Sequence, residues 1–380
     1  MQKSESDFIL AINSGSSSLK FGLFKEQNGE ETTLLQGAAE GVGQSSGRLQ
    51  ISDAGGNTLH DESYTLPTQA HALSEIVEAV EKFARTIPAC VGHRVVHGGP
   101  HLLEHQRVTD DLLSKLKAAV HFAPLHIPAA VTLIREARRL LPGADHYACF
   151  DTAFHATMPE TSRRFALPNE TFQKGIQRYG FHGLSYESIL YRLRDRIPQR
   201  MICAHLGSGA SLVAVLDGRS IDTSMGLTPT GGIPMSTRSG DLDPGVLLFL
   251  MRTEKLDADG LEKLLNHNAG LVALSDGEAD MQQLQRRADG GDRKATAAIE
   301  IFSTAVRKYI GAYAAELGGI DLLVFTGGIG EHSAFVRGRI CQGLDFLGIK
   351  GLPNGQISKV EIMSSEEEQQ IARHCRRLMR

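Results

Sequence analysis

A few charged and imidazole side chains stand in segments where they could bind or catalyse. In VGHRVVHGGP, Arg94 sits among valines and glycines. A buried guanidinium needs a partner, because isolated charge is costly away from water. That partner is either a carboxylate of the fold or an anionic substrate. In CFDTAFH, Asp151 ends an apolar run, the usual place for function in α/β sheets. Beside a nucleotide phosphate, an acid there would coordinate Mg2+ directly or through water. The loop STRSGDLDPG carries Arg238, Asp241 and Asp243; charged loops are ordinarily just solvated, and Asp243 fits that reading. His182 follows Phe181 in QRYGFHGLSY, where a lone histidine is more often structural than catalytic. His93 and His97 have the spacing of a helical metal pair, but the valines and glycines between them read as strand.

Three turns of small residues accompany these groups: SGSSS at 14–18, GSG at 207–209 and TGGIG at 326–330. Backbone amides in such turns can converge on an anion, with serine hydroxyls as further donors. The third lies between a strand and a helix, whose N-terminus adds positive partial charge. None matches GxxxxGK[ST] or GxGxxG, so neither a P-loop nor a dinucleotide fingerprint is present. Three turns, each at the carboxyl end of an apolar strand, point to a polyphosphate held between two domains. Asn13 and Lys20 flank the first turn. The Asn13 amide suits a phosphoryl oxygen, while Lys20, inside the return strand, reads equally as a surface residue.

These groups need elements to hold them. The first sixty-odd residues read as β: strands on either side of 14–18, another near 33–39 and a hairpin near 48–64. HALSEIVEAVEKFA, DDLLSKLKAAVHFA and PAAVTLIREARRLL then place apolar residues at helical spacing. ACVGHRVVHGG and HYACFDTAF read as strands among them. The pattern restarts at 202: ILAINSGSSSLKFGLF and ICAHLGSGASLVAVLD match in register at Ile, Ala, the last Ser of the turn and two Leu. A strand RSIDTS follows, then helices at VLLFLM, LEKLLN and 293–317, then a strand–turn–helix in DLLVFTGGIGEHSAF. Two α/β domains of like architecture follow from this. An amphipathic C-terminal helix, EEEQQIARHCRRLM, returns to the first.

Composition agrees with a soluble globular protein. The 380 residues exceed a comfortable single core. Hydrophobic content of 41% and charged content of 22% are ordinary. A formal net charge of −4 offers no basic surface for nucleic acid or membrane. The N-terminal MQKSESDF lacks a signal-peptide layout, and the apolar run at 246–251 is far too short to span a bilayer. Five dispersed cysteines fit reduced thiols in the cytoplasm.

In order, INSGSSSLKF, GHRVVHGG, APLH, FDTAFH, RYGFHGLSY, HLGSGAS, TRSGDLDPG and FTGGIGE closely resemble the acetate kinase (acetokinase) family. The resemblance runs from about Phe8 into the SEEE of the C-terminal region. It implies two duplicated ribonuclease-H-like (actin-like ATPase) domains with an interdomain cleft, 1–151 and 152–367, with a helix at about 368–380 packing back on the first. It also implies reversible transfer of the ATP γ-phosphoryl group to acetate, giving acetyl phosphate and ADP, with Mg2+ (or Mn2+), in a homodimer. A small carboxylic acid has a pKa of about 4–5 and is already ionised at neutral pH, so no general base is needed. Catalysis then reduces to charge neutralisation and alignment.

By this resemblance Arg94 and Arg238 flank the transferring phosphoryl group, His182 hydrogen-bonds it, and His126 is linked to the active site. Asn13, Asp151 and Glu367 fall on the metal positions, with Glu368 as an alternative to Glu367. Asn13, Ser16, Ser18 and Lys20 fall on the phosphate side. His205, Gly207, Ser208, Gly209, Asp280, Gly328, Ile329 and Gly330 fall on the nucleotide side. Val96, Leu125, Phe181 and Pro229 match a small apolar acyl pocket. Discrimination per methylene is only about 1–3 kcal/mol, so propionate is expected as a secondary substrate. The match departs at Ile127 and Ser208, both usually Asn, at Gly231 and Pro234 in TPTGGIP, and at Gln282, usually Arg. These departures bear on selectivity. The alternatives are a propionate- or butyrate-preferring kinase, a sugar kinase using Asp151 as base, and a non-catalytic actin-like nucleotide-binding module.

Overall fold

The apolar run at the start of the chain becomes strand β1 (Phe8–Ser14), whose residues 9–12 are at most 1% exposed. A strand buried on both faces belongs in the middle of a covered sheet. The computed structural model of the protein describes residues 8–15, 17–351 and 356–380, so Ser16 lies outside the described residues. In it, β1 pairs antiparallel with β2 (Ser18–Gln27) and parallel with β6 (Cys90–Val95). Strands β3 (Glu30–Glu40), β4 (Gly47–Asp53) and β5 (Thr58–Tyr64) extend one side. Strands β7 (Gln106–Arg107) and β8 (Asp145–Phe150) complete the other, in the order β5-β4-β3-β2-β1-β6-β8-β7.

Successive residues of β1 serve opposite faces, as the pleat requires. Leu10 and Ile12 pack in one core with Leu73 and Ile76 of the helix Gln69–Ala84 and with Leu133 and Ala137 of the helix Ile127–Leu140. Ile9 and Ala11 pack in another with Ile371, Ala372 and Cys375 of the helix Glu367–Met379. Gly92 on β6 permits that approach: a Cβ there would lie 2.4 Å from Ile371 Cγ2 and 2.6 Å from Cys375 Sγ.

Chain contacts define two units. The first comprises Met1–Ala153 with Gly183–Ser188 and Glu366–Arg380; the second comprises Phe154–His182 and Ile189–Ser365. In the second, β9 (Arg200–Leu206) pairs antiparallel with β10 (Ala210–Leu216) and parallel with β12 (Leu322–Thr326). With β11 (Arg219–Thr223) and β13 (Val360–Ile362) the order is β11-β10-β9-β12-β13. This repeats β3-β2-β1-β6-β8 of the first unit, with three antiparallel strands followed by two parallel ones. It is the ribonuclease-H-like plan, present twice. The helix Arg293–Glu316 covers this second core with Ala298, Phe302, Val306 and Ile310, and Asp292 caps it by accepting from the N–H groups of Lys294 and Ala295.

The two opening hairpins are not superimposable residue for residue. The first closes on Ser14 opposite Leu19, the second on Leu206 opposite Ala210. The second turn is therefore one residue shorter, and the ungapped sequence match slips across it. Strands β7 and β13, two and three residues long, are too short to leave a periodic signal. No helix among the described residues is long and apolar enough to cross a membrane.

Candidate active site

In the first unit, β1, β6, the end of β8 and the C-terminal helix deliver five side chains to one place. Asp151, one residue beyond β8, is 1% exposed. Its N–H donates to Val95 O at 3.0 Å and its carbonyl accepts from Gly183 N–H at 2.9 Å. Arg94 donates from Nη2 and Nε to the same carboxylate oxygen, Oδ2, at 2.6 and 3.0 Å. Of the two partners open to Arg94 from sequence, the structure supplies the carboxylate of the fold. Arg94 Nη1 also donates to Asn13 Oδ1 and Ser14 O, both at 3.2 Å. The Asn13 amide nitrogen donates to Glu367 Oε2 at 2.9 Å and Glu368 Oε1 at 2.8 Å. Asn13 thus bridges the guanidinium and the two glutamates.

Three carboxylates share one guanidinium here, and the electrostatics show it. Burial raises the Asp151 carboxyl above its ordinary value; Arg94 opposes the shift and Glu367 adds to it. Burial and the neighbouring Glu367 charge likewise raise Glu368, against the hydrogen bond from Asn13. Asp151 Oδ1 is buried with no hydrogen-bond partner among the described residues.

In the second unit the groups gather on the turn between β9 and β10. His182 has φ 58°, a left-handed backbone, and opens the helix Gly183–Leu193. Such a conformation is uncommon outside glycine and is held by its surroundings. The buried His155 ring supplies part of the hold, bonding Ser220 Oγ at 2.9 Å and Phe181 O at 3.0 Å. Gly180 packs on the same ring: a Cβ there would lie 2.7 Å from it. His182 stacks on His205, ring centroids 4.3 Å apart and 20° from parallel, and its Nδ1 lies 2.9 Å from Ser211 Oγ. Arg238 donates from Nη1 to Pro229 O at 3.0 Å. A Cβ on Gly209 would sit 3.3 Å from His182 Nε2 and 3.7 Å from Arg238 Nη1. The GSG turn therefore lies directly against both side chains, and a larger residue would crowd them.

The same turn borders a cavity of about 760 Å³, of a size that takes a nucleoside-sized ligand. Gly207, Ser208, Asp280, Gln282, Gly328 and Ile329 all line it. Asp280 also accepts from Gln283 N–H at 2.9 Å, which makes it the N-cap of the helix Met281–Asp289. Sequence reasoning missed Arg286, which lines the cavity one helical turn beyond Gln282. Its spacing of four residues from Gln282 was the available signal.

Other expectations land differently. The first amide of each opening turn closes the turn itself: Gly15 N–H donates to Ser18 O at 2.9 Å and Gly207 N–H to Gly209 O at 3.1 Å. Gly327 N–H donates to Glu331 Oε1 at 2.9 Å, so a side chain of the same short helix takes that amide. Lys20 is exposed on β2, in keeping with a surface residue. Asp243 caps the helix Pro244–Thr253, and Asp241 accepts from Gly232 N–H at 2.7 Å, tying the TPTGGIP loop to its own. Both are structural here. Leu125 is exposed, and His126 and Val96 are partly buried in the first unit; Phe181 and Pro229 are buried in the second. Gly330 is buried within its helix. Ile127 is 1% exposed, so that departure from the expected Asn sits in the core.

The chain matches the model of the acetokinase family over residues 8–371. It is 41% identical to the acetate kinase of Methylocella silvestris, covering 98% of each chain, and 38% identical to that of Geobacillus kaustophilus, covering 97% of this chain and 98% of the other. Among solved structures it resembles Porphyromonas gingivalis acetate kinase, with a TM-score of 0.85, 33% identity and coverage of 99% and 100%. It also resembles a propionate kinase from Francisella tularensis, with a TM-score of 0.89, 33% identity and coverage of 98% and 100%. With a family model spanning nearly its whole length and relatives matched end to end, the chain belongs to the acetokinase family.

Proposed function

We propose that the protein transfers the γ-phosphoryl group of ATP reversibly to acetate, giving acetyl phosphate and ADP, with propionate as a slower substrate. The observation that carries this reading is the packing of the GSG turn against His182 and Arg238 beside a nucleoside-sized cavity. A carboxylate acceptor is ionised at neutral pH and needs no base. Asp151 is accordingly engaged by Arg94 rather than poised as one. Arg238 and Arg94 neutralise charge on the transferring group, and His182 donates a hydrogen bond to it. Two planar guanidinium groups suit charge spread over several oxygens.

Asp151, Glu367 and the amide oxygen of Asn13, which here accepts from Arg94, would supply oxygen donors, and Asp151 Oδ1 is buried with no hydrogen-bond partner among the described residues, which fits a hard divalent cation such as Mg2+. When bound, that ion supplies charge neutralisation on the nucleotide phosphates. We assign Ser18, Ser208 and Gly209 to the phosphate side, and Gly328, Ile329 and Asp280 to the nucleoside side. Val96, Leu125, Phe181 and Pro229 are assigned to the acyl group, with 1–151 plus the helix from about 368 as one domain and 152–367 as the other, a division that departs from the contact units at 183–188 and 366–367.

A homodimer is part of the same reading. The helix Pro244–Thr253 buries none of its residues, and Leu248, Phe249 and Met251 are 51%, 62% and 44% exposed. Light scattering should give twice the monomer mass at micromolar concentration; a monomer there would remove that element. Five free, buried cysteines accord with a cytoplasmic setting.

Hydroxylamine trapping of acyl phosphate tests the activity. With ATP and Mg2+, acetate should give the most hydroxamate, propionate less and butyrate little. Absence of hydroxamate from all three would overturn the proposal.

A further inference from the structure

A second cluster of titratable side chains lies in the first unit, outside the groups already assigned. His105, Glu187 and His374 bring three ligand-type atoms within 4.8 Å of one another. His105 is 7% and His374 5% exposed, and their ring centroids are 3.9 Å apart. Such a trio invites a metal ion, but its hydrogen bonds argue otherwise. Phe150 N–H donates to His105 Nδ1 at 3.0 Å, so in the neutral ring the proton sits on Nε2. That nitrogen faces both Glu187 oxygens, at 3.3 and 3.4 Å. Arg377 can only donate, and its Nη2 lies 3.3 Å from His374 Nδ1. Glu187 Oε2, which can only accept, lies 2.8 Å from His374 Nε2 and so places the proton on that nitrogen; the Gln370 amide nitrogen, 3.0 Å from it, can only donate and makes no bond there. Both lone pairs a cation would use are occupied by protons that Glu187 accepts.

The three residues sit on segments that carry the ion-binding groups. His105 holds the N–H of Phe150, the residue just before Asp151. Glu187 lies one turn along the helix whose Gly183 N–H bonds Asp151 O. His374 lies two turns along the helix that begins at Glu367. We propose that Glu187, bridging His105 and His374, is a positioning residue that holds the end of β8 and the start of the C-terminal helix in the register the ion-binding carboxylates require. The proposal rests on the assignment of Asp151 and Glu367 to a divalent ion.

The test is Mn2+ binding, read by electron paramagnetic resonance on the full-length protein with ADP, alongside steady-state KM for acetate. In Glu187→Gln, one of the two imidazole N–H groups loses its acceptor. The Mn2+ dissociation constant should rise about 5- to 10-fold while KM for acetate stays within twofold of wild type. His374→Gln, which keeps an N–H donor, should bind Mn2+ nearly as wild type does, whereas His374→Ala should behave like Glu187→Gln. Unchanged Mn2+ affinity in folded Glu187→Gln and His374→Ala would overturn the proposal. So would stoichiometric zinc in the purified wild type that is lost in Glu187→Gln. Asp151→Asn separates the two readings. If it binds Mn2+ normally, the ion assignment itself falls and this proposal with it. If it does not, while Glu187→Gln remains normal, only the positioning role falls. Should Glu187→Gln fail to fold, the two His374 variants decide the matter.

Discussion

Arg94 places two donors on a single oxygen of Asp151, at 2.6 and 3.0 Å on Oδ2, and leaves Oδ1 buried with no hydrogen-bond partner among the described residues. A structural ion pair would ordinarily use both oxygens in a fork. An unmatched buried oxygen is costly unless something else occupies it. Asp151→Asn should therefore weaken divalent-ion binding sharply, with a rise of at least tenfold in the Mg2+ concentration at half-maximal rate. A Mg2+ titration at saturating ATP and acetate measures this, and an unchanged half-saturation point would count against the assignment.

The cavity beside the GSG turn carries a guanidinium on Arg286 instead of at Gln282. Arg286→Ala should raise KM for ATP several-fold and leave KM for acetate unchanged. Equal effects on both constants would mean that Arg286 acts through the fold rather than on the nucleotide.

Gly92 is where the C-terminal helix comes closest to β6. Gly92→Ala should destabilise the protein by about 1–3 kcal/mol, as overpacking does. Gly311, inside the helix Arg293–Glu316, has nothing within 4 Å of an added Cβ. Gly311→Ala should be neutral or stabilise by up to about 1 kcal/mol. Denaturant midpoints of the two variants check the contrast.

Glu187 titrates at about 2 in the folded protein: burial pushes it up, but His374 and His105 more than offset that. A folded value below the unfolded one gives stability that is complete above about pH 4.5 and lost as pH falls toward 2. Burial lowers His374 too, with Glu187 opposing, and its contribution is lost as pH falls below about 6.5. The difference in unfolding free energy between wild type and Glu187→Gln should narrow by on the order of 2 kcal/mol between pH 5 and pH 2.5. Urea titrations across that range measure it, and a constant gap would contradict the linkage.

Much of this was legible before the fold was known. The apolar runs around 9–12 and 202–206 could only be central strands, and the repeat of strand, small turn and strand announced the duplicated plan. Asp151 was legible because an acid at the end of an apolar strand is out of place there. The partners of Arg94 were not, since its guanidinium meets residues of β1 and the residue just after β8, which only the sheet order brings together. Nor was the slip between the two hairpins, because a one-residue difference in a Gly/Ser turn leaves no trace in hydrophobic pattern. Glu187 and His374 were invisible for a related reason. They lie 187 residues apart, on helices whose periodicity reports only the apolar face.

In the proposed reaction Arg94 and Arg238 neutralise charge on the phosphoryl group as it passes to a short carboxylate. The most direct test of this is the rate of acetyl phosphate formation from acetate and Mg·ATP, measured for wild type and Arg238→Ala side by side. We expect turnover in the wild type and a loss of about 10²–10³-fold in kcat for the variant, the scale set by removing one charge-stabilising donor. Wild-type protein that makes no acetyl phosphate, or a variant that turns over at the full rate, would contradict the account.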